Sequence, residues 1–210
     1  MRNLSKVLFV SLLVFISMQS FAQKFGVQGG INLANMVSKD DEDTYSDEFD
    51  MNLGFNAGVT FELGFGDLMS LEMGAMMDTK GFKISEGDAT VKVNLLYADV
   101  PVLLKVGTGL GPVRVFGAVG PYLGVGITGK YTVEFDGDKE SEDIEWGDGD
   151  EADLKRLDYG AKFGIGAEAS GFTFGVYYSL GLANLAVDTD GGYKEQNRVL
   201  SFSVGYKFGK

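Results

Sequence analysis

Cysteine and histidine are both absent from the 210 residues, and proline and tryptophan are scarce, at three and one. Without histidine or cysteine, Ser-His-Asp and Cys-His catalysis are excluded, as are zinc sites of the usual nitrogen and sulfur kind. Without cysteine, no disulfide framework can hold an exported chain, which must instead satisfy its own backbone. A long hydrophobic run is missing too. The apolar stretch at residues 7–18 falls short of the ~20 residues a transmembrane helix needs, and no later stretch approaches it. There is no basic patch, since 18 Lys and Arg stand against 30 Asp and Glu for a net charge of −12, so nucleic acid is not an expected partner.

What the chain does have is alternation. In residues 198–208, Leu200, Phe202, Val204, Tyr206 and Phe208 alternate with Ser201, Ser203, Gly205 and Lys207. That is a strand with one apolar and one polar face. The same pattern recurs at residues 24–34, 52–65, 68–79, 91–106, 113–127, 157–169 and 172–182, although Phe116 falls on the polar face of its segment. Arg2 and Lys6 precede the short apolar run and Ser20-Phe21-Ala22 follows it, which predicts a signal peptide at 1–22 and one domain at 23–210. An export signal with eight half-apolar strands predicts an all-β fold, an eight-stranded antiparallel up-and-down transmembrane β-barrel whose apolar faces meet lipid. The 31 glycines suit strands crowded inside a narrow cylinder. Pro101 costs the fourth strand a ladder bond, so it is expected at a bulge or near a rim.

The connections alternate long and short, which predicts four long extracellular loops and both termini in the periplasm, in the cell outer membrane. Charge follows the same partition: residues 36–50 carry −6 and residues 128–155 carry −8. Acidic stretches of this kind read as solvated loops. A sharper reading has Asp136, Asp138, Glu140, Glu142 and Asp143, or Asp40, Asp41 and Asp43, binding a divalent cation, although neither run has the spacing of the calcium-loop motif. Asp136, Asp138, Glu140, Trp146, Asp148 and Asp150 form a candidate surface-interaction loop toward an unknown protein partner. Within it Trp146 serves either as a recognition anchor or as a contact folding the loop onto the rim.

Eight strands enclose an interior that side chains fill. The inward parity selects Glu62, Glu72, Asp99, Lys105, Arg114, Asp158, Lys162 and Glu168 as a lumen charge network, with Lys24, Asp78 and Lys207 on the same face. Such charges should pair with one another and plug the barrel. Carboxylates such as Glu62 and Glu72 are read as counter-charges rather than as an acid–base pair, so no enzyme activity and no cofactor are expected.

The segment Leu95-Leu96-Tyr97-Ala98-Asp99-Val100-Pro101-Val102-Leu103-Leu104-Lys105 resembles the tyrosine, acidic residue, proline, aliphatic pair and lysine signature of the PorT-like outer-membrane β-barrel family, the porin-family proteins. Residues 26–35, Thr79-Lys80-Gly81-Phe82, Gly120-Pro121-Tyr122, residues 157–166 and residues 200–208 are similar to other stretches of that family. The resemblance implies a barrel in contact with outer-membrane lipid and inserted by the barrel-insertion machinery; here Gly209-Lys210 follows the terminal aromatic. It implies fold and location rather than an activity. The expected function is a non-catalytic scaffold displaying acidic loops, with roles in surface interaction, envelope integrity or secretion assembly. The alternatives are a soluble lipocalin-like barrel binding a lipid inside and a narrow channel.

Overall fold

Among the described residues there are nine strands: β1 (Ala22–Lys39), β2 (Asn52–Phe65), β3 (Met69–Glu86), β4 (Ala89–Leu110), β5 (Val113–Phe135), β6 (Asp138–Asp143), β7 (Leu157–Ala169), β8 (Phe172–Gly181) and β9 (Lys194–Phe208). The computed structural model describes residues 22–45, 49–87, 89–149 and 151–209. The expected signal peptide thus lies outside the described residues, apart from Ala22 at the start of β1.

Eight of the strands close into an antiparallel ring in the order β1-β2-β3-β4-β5-β7-β8-β9, sealed where β9 returns to β1 between Phe25↔Phe208 and Lys39↔Lys194. Closure follows from the sequence alternation. Along β2, Leu53, Phe55 and Val59 stand on the outer surface while Asn52, Asn56, Thr60 and Glu62 are buried in the lumen. β7 does the same with Tyr159, Phe163 and Ile165 outside and Asp158 and Lys162 inside. A ring leaves no free sheet edge in the apolar belt, so backbone donors and acceptors find partners on neighbouring strands where lipid supplies none. Apolar faces pointing outward are the opposite of a lipocalin-like ligand barrel, and that alternative is not favoured.

At the short-turn end, Phe25 is near Phe61, while Tyr206 meets both Phe172 and Phe208 edge to face with ring centroids 5.0 Å apart. This is the aromatic girdle of a membrane interface.

β3, β4 and β5 run past the segments their alternation marks. The expected long connection at residues 80–90 is sheet, because β3 continues to Glu86 and β4 starts at Ala89, in register from Lys80↔Leu95 to Glu86↔Ala89. Beyond the lipid both faces meet water, so alternation fades at Lys83, Ser85, Glu86 and Lys92 although the ladder persists. The 22 residues of β4 span about 70 Å at the strand rise. That far exceeds a bilayer core, so this part of the sheet projects.

The third loop contains β6, paired with the projecting end of β5 through Asp136-Gly137, both at positive φ (49° and 88°). Asp-Gly is the sequence such a two-residue hairpin turn requires.

Pro101 sits neither at a bulge nor near a rim. The β3–β4 ladder simply lapses between Met73↔Val102 and Met76↔Asp99 without a change of register, and Pro101 packs over Gly74, which has no side chain to oppose it. The bulge lies elsewhere, where β4 and β5 shift register between Leu96 and Tyr97.

Candidate functional site

Two layers of charge fill the lumen. In the layer nearer the short turns, Lys105 from β4 reaches Glu168 of β7 at 2.7 Å, Glu72 of β3 at 3.1 Å and Glu62 of β2 at 3.4 Å. Lys207 of β9 meets the same three carboxylates, at 2.7 Å from Glu168 and 3.0 Å from Glu72, and it also pairs with Glu62. Arg114 of β5 closes the set, 3.2 Å from Glu168 and 3.3 Å from the Leu68 carbonyl oxygen. Three acids and three bases balance. Phe116 lies within this layer, its ring centroid 3.8 Å from the Lys105 ammonium, which accounts for an aromatic on the polar face of β5.

The second layer centres on Lys80, 1% exposed, which pairs with Asp99 at 2.8 Å and Asp158 at 2.9 Å. The ammonium lies between the rings of Tyr97 and Tyr122, 4.5 and 4.6 Å from their centroids. Asp158 accepts further hydrogen bonds from the Tyr122 hydroxyl at 3.2 Å and the Asn197 amide at 2.9 Å. Asp78 accepts from Asn32 at 2.9 Å and has Lys162 4.0 Å away. Asn56 links Asn32 to the Ser203 hydroxyl. Between the layers, the Tyr177 ring occupies space that a side chain at Gly164 or Gly175 would fill.

All eight candidate lumen residues therefore come together, but in two sets: Glu62, Glu72, Lys105, Arg114 and Glu168 in one, Asp99, Asp158 and Lys162 in the other. Lys80 joins them from just beyond Thr79, where the clear alternation of the third strand stops in the sequence. Extending the parity of Glu72 and Asp78 by one more pair of residues would have placed it inside.

Above the second layer the long connections fold over the mouth. Met36, Val93, Leu95, Tyr97, Leu154, Ala183 and Leu185 form a buried apolar cluster, with Phe49, Phe82, Ile144 and Trp146 packed against it. Trp146 meets Tyr97 edge-on at 5.5 Å. Backbone bonds from Gly126 N–H to Arg156 and from Lys155 N–H to Leu185 hold the segment down. Trp146 thus fills the mouth, while Asp136, Asp138, Glu140 and Asp148 are exposed and Asp150 lies outside the described residues.

The acidic candidates do not converge as metal ligands. Among the described residues no group of three or more such side chains is placed to hold an ion. Asp138, Glu140 and Glu142 alternate along β6 with Asp143 on the other face, as strand geometry demands. Asp40 is occupied by its own turn, accepting from the N–H of Asp43 at 2.7 Å and of Glu42 at 2.8 Å and from the Tyr45 hydroxyl at 2.7 Å. These bonds hold the pKa of the Asp40 carboxyl below its ordinary value, and donating to Asp40 pushes that of the Tyr45 hydroxyl up to about 12.

Comparison with known proteins agrees with this architecture. Residues 21–187 match the model of the outer membrane protein beta-barrel domain. No curated protein matches the chain by sequence. Among solved structures, the attachment invasion locus protein of Yersinia pestis, crystallised with the heparin analogue sucrose octasulfate, is 14% identical, with 89% of this chain and 99% of that one covered and a TM-score of 0.42. Outer Membrane Protein W of Escherichia coli is 13% identical over 89% and 98% of the two chains, TM-score 0.44. Neisserial surface protein A is 12% identical over 88% and 97%, TM-score 0.42. With the matched span taking in the greater part of the chain, this protein belongs to the outer membrane protein beta-barrel domain family, whose place is the cell outer membrane.

Proposed function

We propose that the protein is a non-catalytic scaffold, a plugged outer-membrane barrel that holds an acidic surface outside the cell for a cationic protein partner. The observation that carries this reading is the segregation of charge. Inside the barrel, Lys80, Lys105, Lys162, Arg114 and Lys207 are committed to carboxylates across the lumen. Beyond it, the two long acidic stretches hold more negative charge than the whole chain nets, −6 and −8 against −12. Acids in such excess over nearby cations, with Asp143 alone of the β6 acids 3.9 Å from a lysine, Lys130, act on what approaches from solution.

The remaining parts fit the same reading. Residues 1–22 direct export, both termini lie in the periplasm, the outer apolar face meets lipid after the insertion machinery has done its work, and the packed lumen passes no solute. The PorT-like signature acquires a physical sense, because Tyr97, Asp99 and Lys105 all point into the lumen and Pro101 sits over Gly74. It is a lumen-packing motif. Protease added to intact cells tests the display. Cleavage is expected within residues 136–151, with the Gly66-Asp67 and Ser170-Gly171 turns spared; cutting at those turns with 136–151 protected would contradict the orientation.

A further inference from the structure

Strand β6 has a neighbour on one side only. It pairs with β5 from Phe135↔Asp138 to Lys130↔Asp143, and among the described residues no strand lies along its other side. All six of its residues are exposed. An edge of this kind offers a row of backbone N–H and C=O groups to any extended segment that adds to it. Charge then decides which segments can. Within β6, Asp138, Glu140, Glu142 and Asp143 stand against Lys139, a net of −3 over six residues, and from β5 only Asp143 gains a cation, Lys130 at 3.9 Å. Alternation puts Asp138, Glu140 and Glu142 on one face, at a spacing of about 6.6 to 6.8 Å. Ser141 is on the other, where its hydroxyl is 3.0 Å from that of buried Thr132.

A second copy of the same edge is disfavoured, because it would set like charges opposite one another. A neutral strand leaves three acids without counter-charge. A strand with lysine or arginine at every second position sets a cation beside each acid while its backbone completes the ladder.

We propose that the free edge of β6 is a docking site for an extended segment of a partner protein carrying basic residues at alternate positions, bound by strand addition. The proposal rests on the display reading and specifies its partner: charge attracts, and the backbone ladder selects.

Three synthetic peptides separate the two contributions, each titrated against the full chain in detergent micelles at low salt. The first alternates lysine with threonine over eight residues. The second has the same composition with its lysines contiguous. The third is the first with alternate backbone amides N-methylated along one edge. The first is expected to bind at least about tenfold more tightly than the others, and the double variant Glu140→Lys, Glu142→Lys, on exposed positions that leave the barrel intact, is expected to lose that preference. Equal binding by the N-methylated peptide, or an unchanged preference in the double variant, overturns strand addition while leaving the acidic display standing. If none of the three peptides binds at low salt, the display reading falls with it.

Discussion

Replacing Lys105 by methionine is expected to destabilise the barrel by about 3 kcal/mol, the low end of the range for removing one partner of a buried ion pair. The side chain is fully buried and contacts Glu168, Glu72 and Glu62 at 2.7, 3.1 and 3.4 Å. Methionine fills most of its volume and can rest on Phe116, so the cavity contribution is small. The cost is electrostatic. Three carboxylates are left with Lys207 and Arg114, one positive charge too few. It stays at the low end because Lys207 still contacts Glu72 at 3.0 Å and Glu168 at 2.7 Å, so neither carboxylate is orphaned. In a urea titration of refolding into lipid vesicles, the folded-to-unfolded ratio should fall roughly 150-fold, since each 1.4 kcal/mol is a factor of ten. Adding Glu72→Gln restores neutrality and should recover more than half of the loss, the non-additivity of coupled partners. A single variant within about 0.5 kcal/mol of the parent, the range of ordinary surface substitutions, or a double variant worse than the single, would refute the neutral-layer reasoning.

Val100→Arg, on the outer face opposite the Asp99 side of β4, should cost about 2 to 4 kcal/mol at the bilayer midplane, measured in the same titration. Trp146→Ala should free the segment at 144–156 from the mouth, extending protease cleavage past residue 151 into 152–156, which the parent protects, while the heat-modifiable gel shift of the barrel is unchanged; Trp146 is the sole tryptophan, so denaturant should change its emission before the barrel unfolds in the parent. The Asp40 turn should survive acid. Because the folded carboxyl titrates below the ordinary 3.8, the stabilisation is present above that value and is lost as pH falls through the lower folded one, so the Asp43 amide should remain protected at pH 4 and become unprotected at any pH in Asp40→Ala, which has no acceptor for it.

The membrane-crossing part of the ring was legible because lipid on one side and a polar lumen on the other impose a period of two. β2 and β7 have the bounds that alternation marks, at Asn52–Phe65 and Leu157–Ala169. The lumen charges followed from the same parity. Outside the lipid that contrast vanishes, so the extensions of β3 through β5 read as loops in the sequence, and Lys80 with them. Phe116 broke the period because a buried ammonium needed a ring beside it. β6 announced itself in Asp136-Gly137, but four acids in six residues spoke more loudly for a solvated loop. The docking of Trp146 depends on Tyr97, Gly126 and Leu185, contributed by distant segments, and local sequence does not encode that meeting.

Closure of the lumen is what makes the barrel a scaffold rather than a channel. Purified, folded protein reconstituted into a planar bilayer should show no conductance steps above baseline in 1 M KCl, a ~3 Å screening length at which long-range electrostatic exclusion is suppressed and only the packed lumen itself can block ions. Steady, voltage-independent conductance in the parent protein would contradict the plugged scaffold and favour a channel.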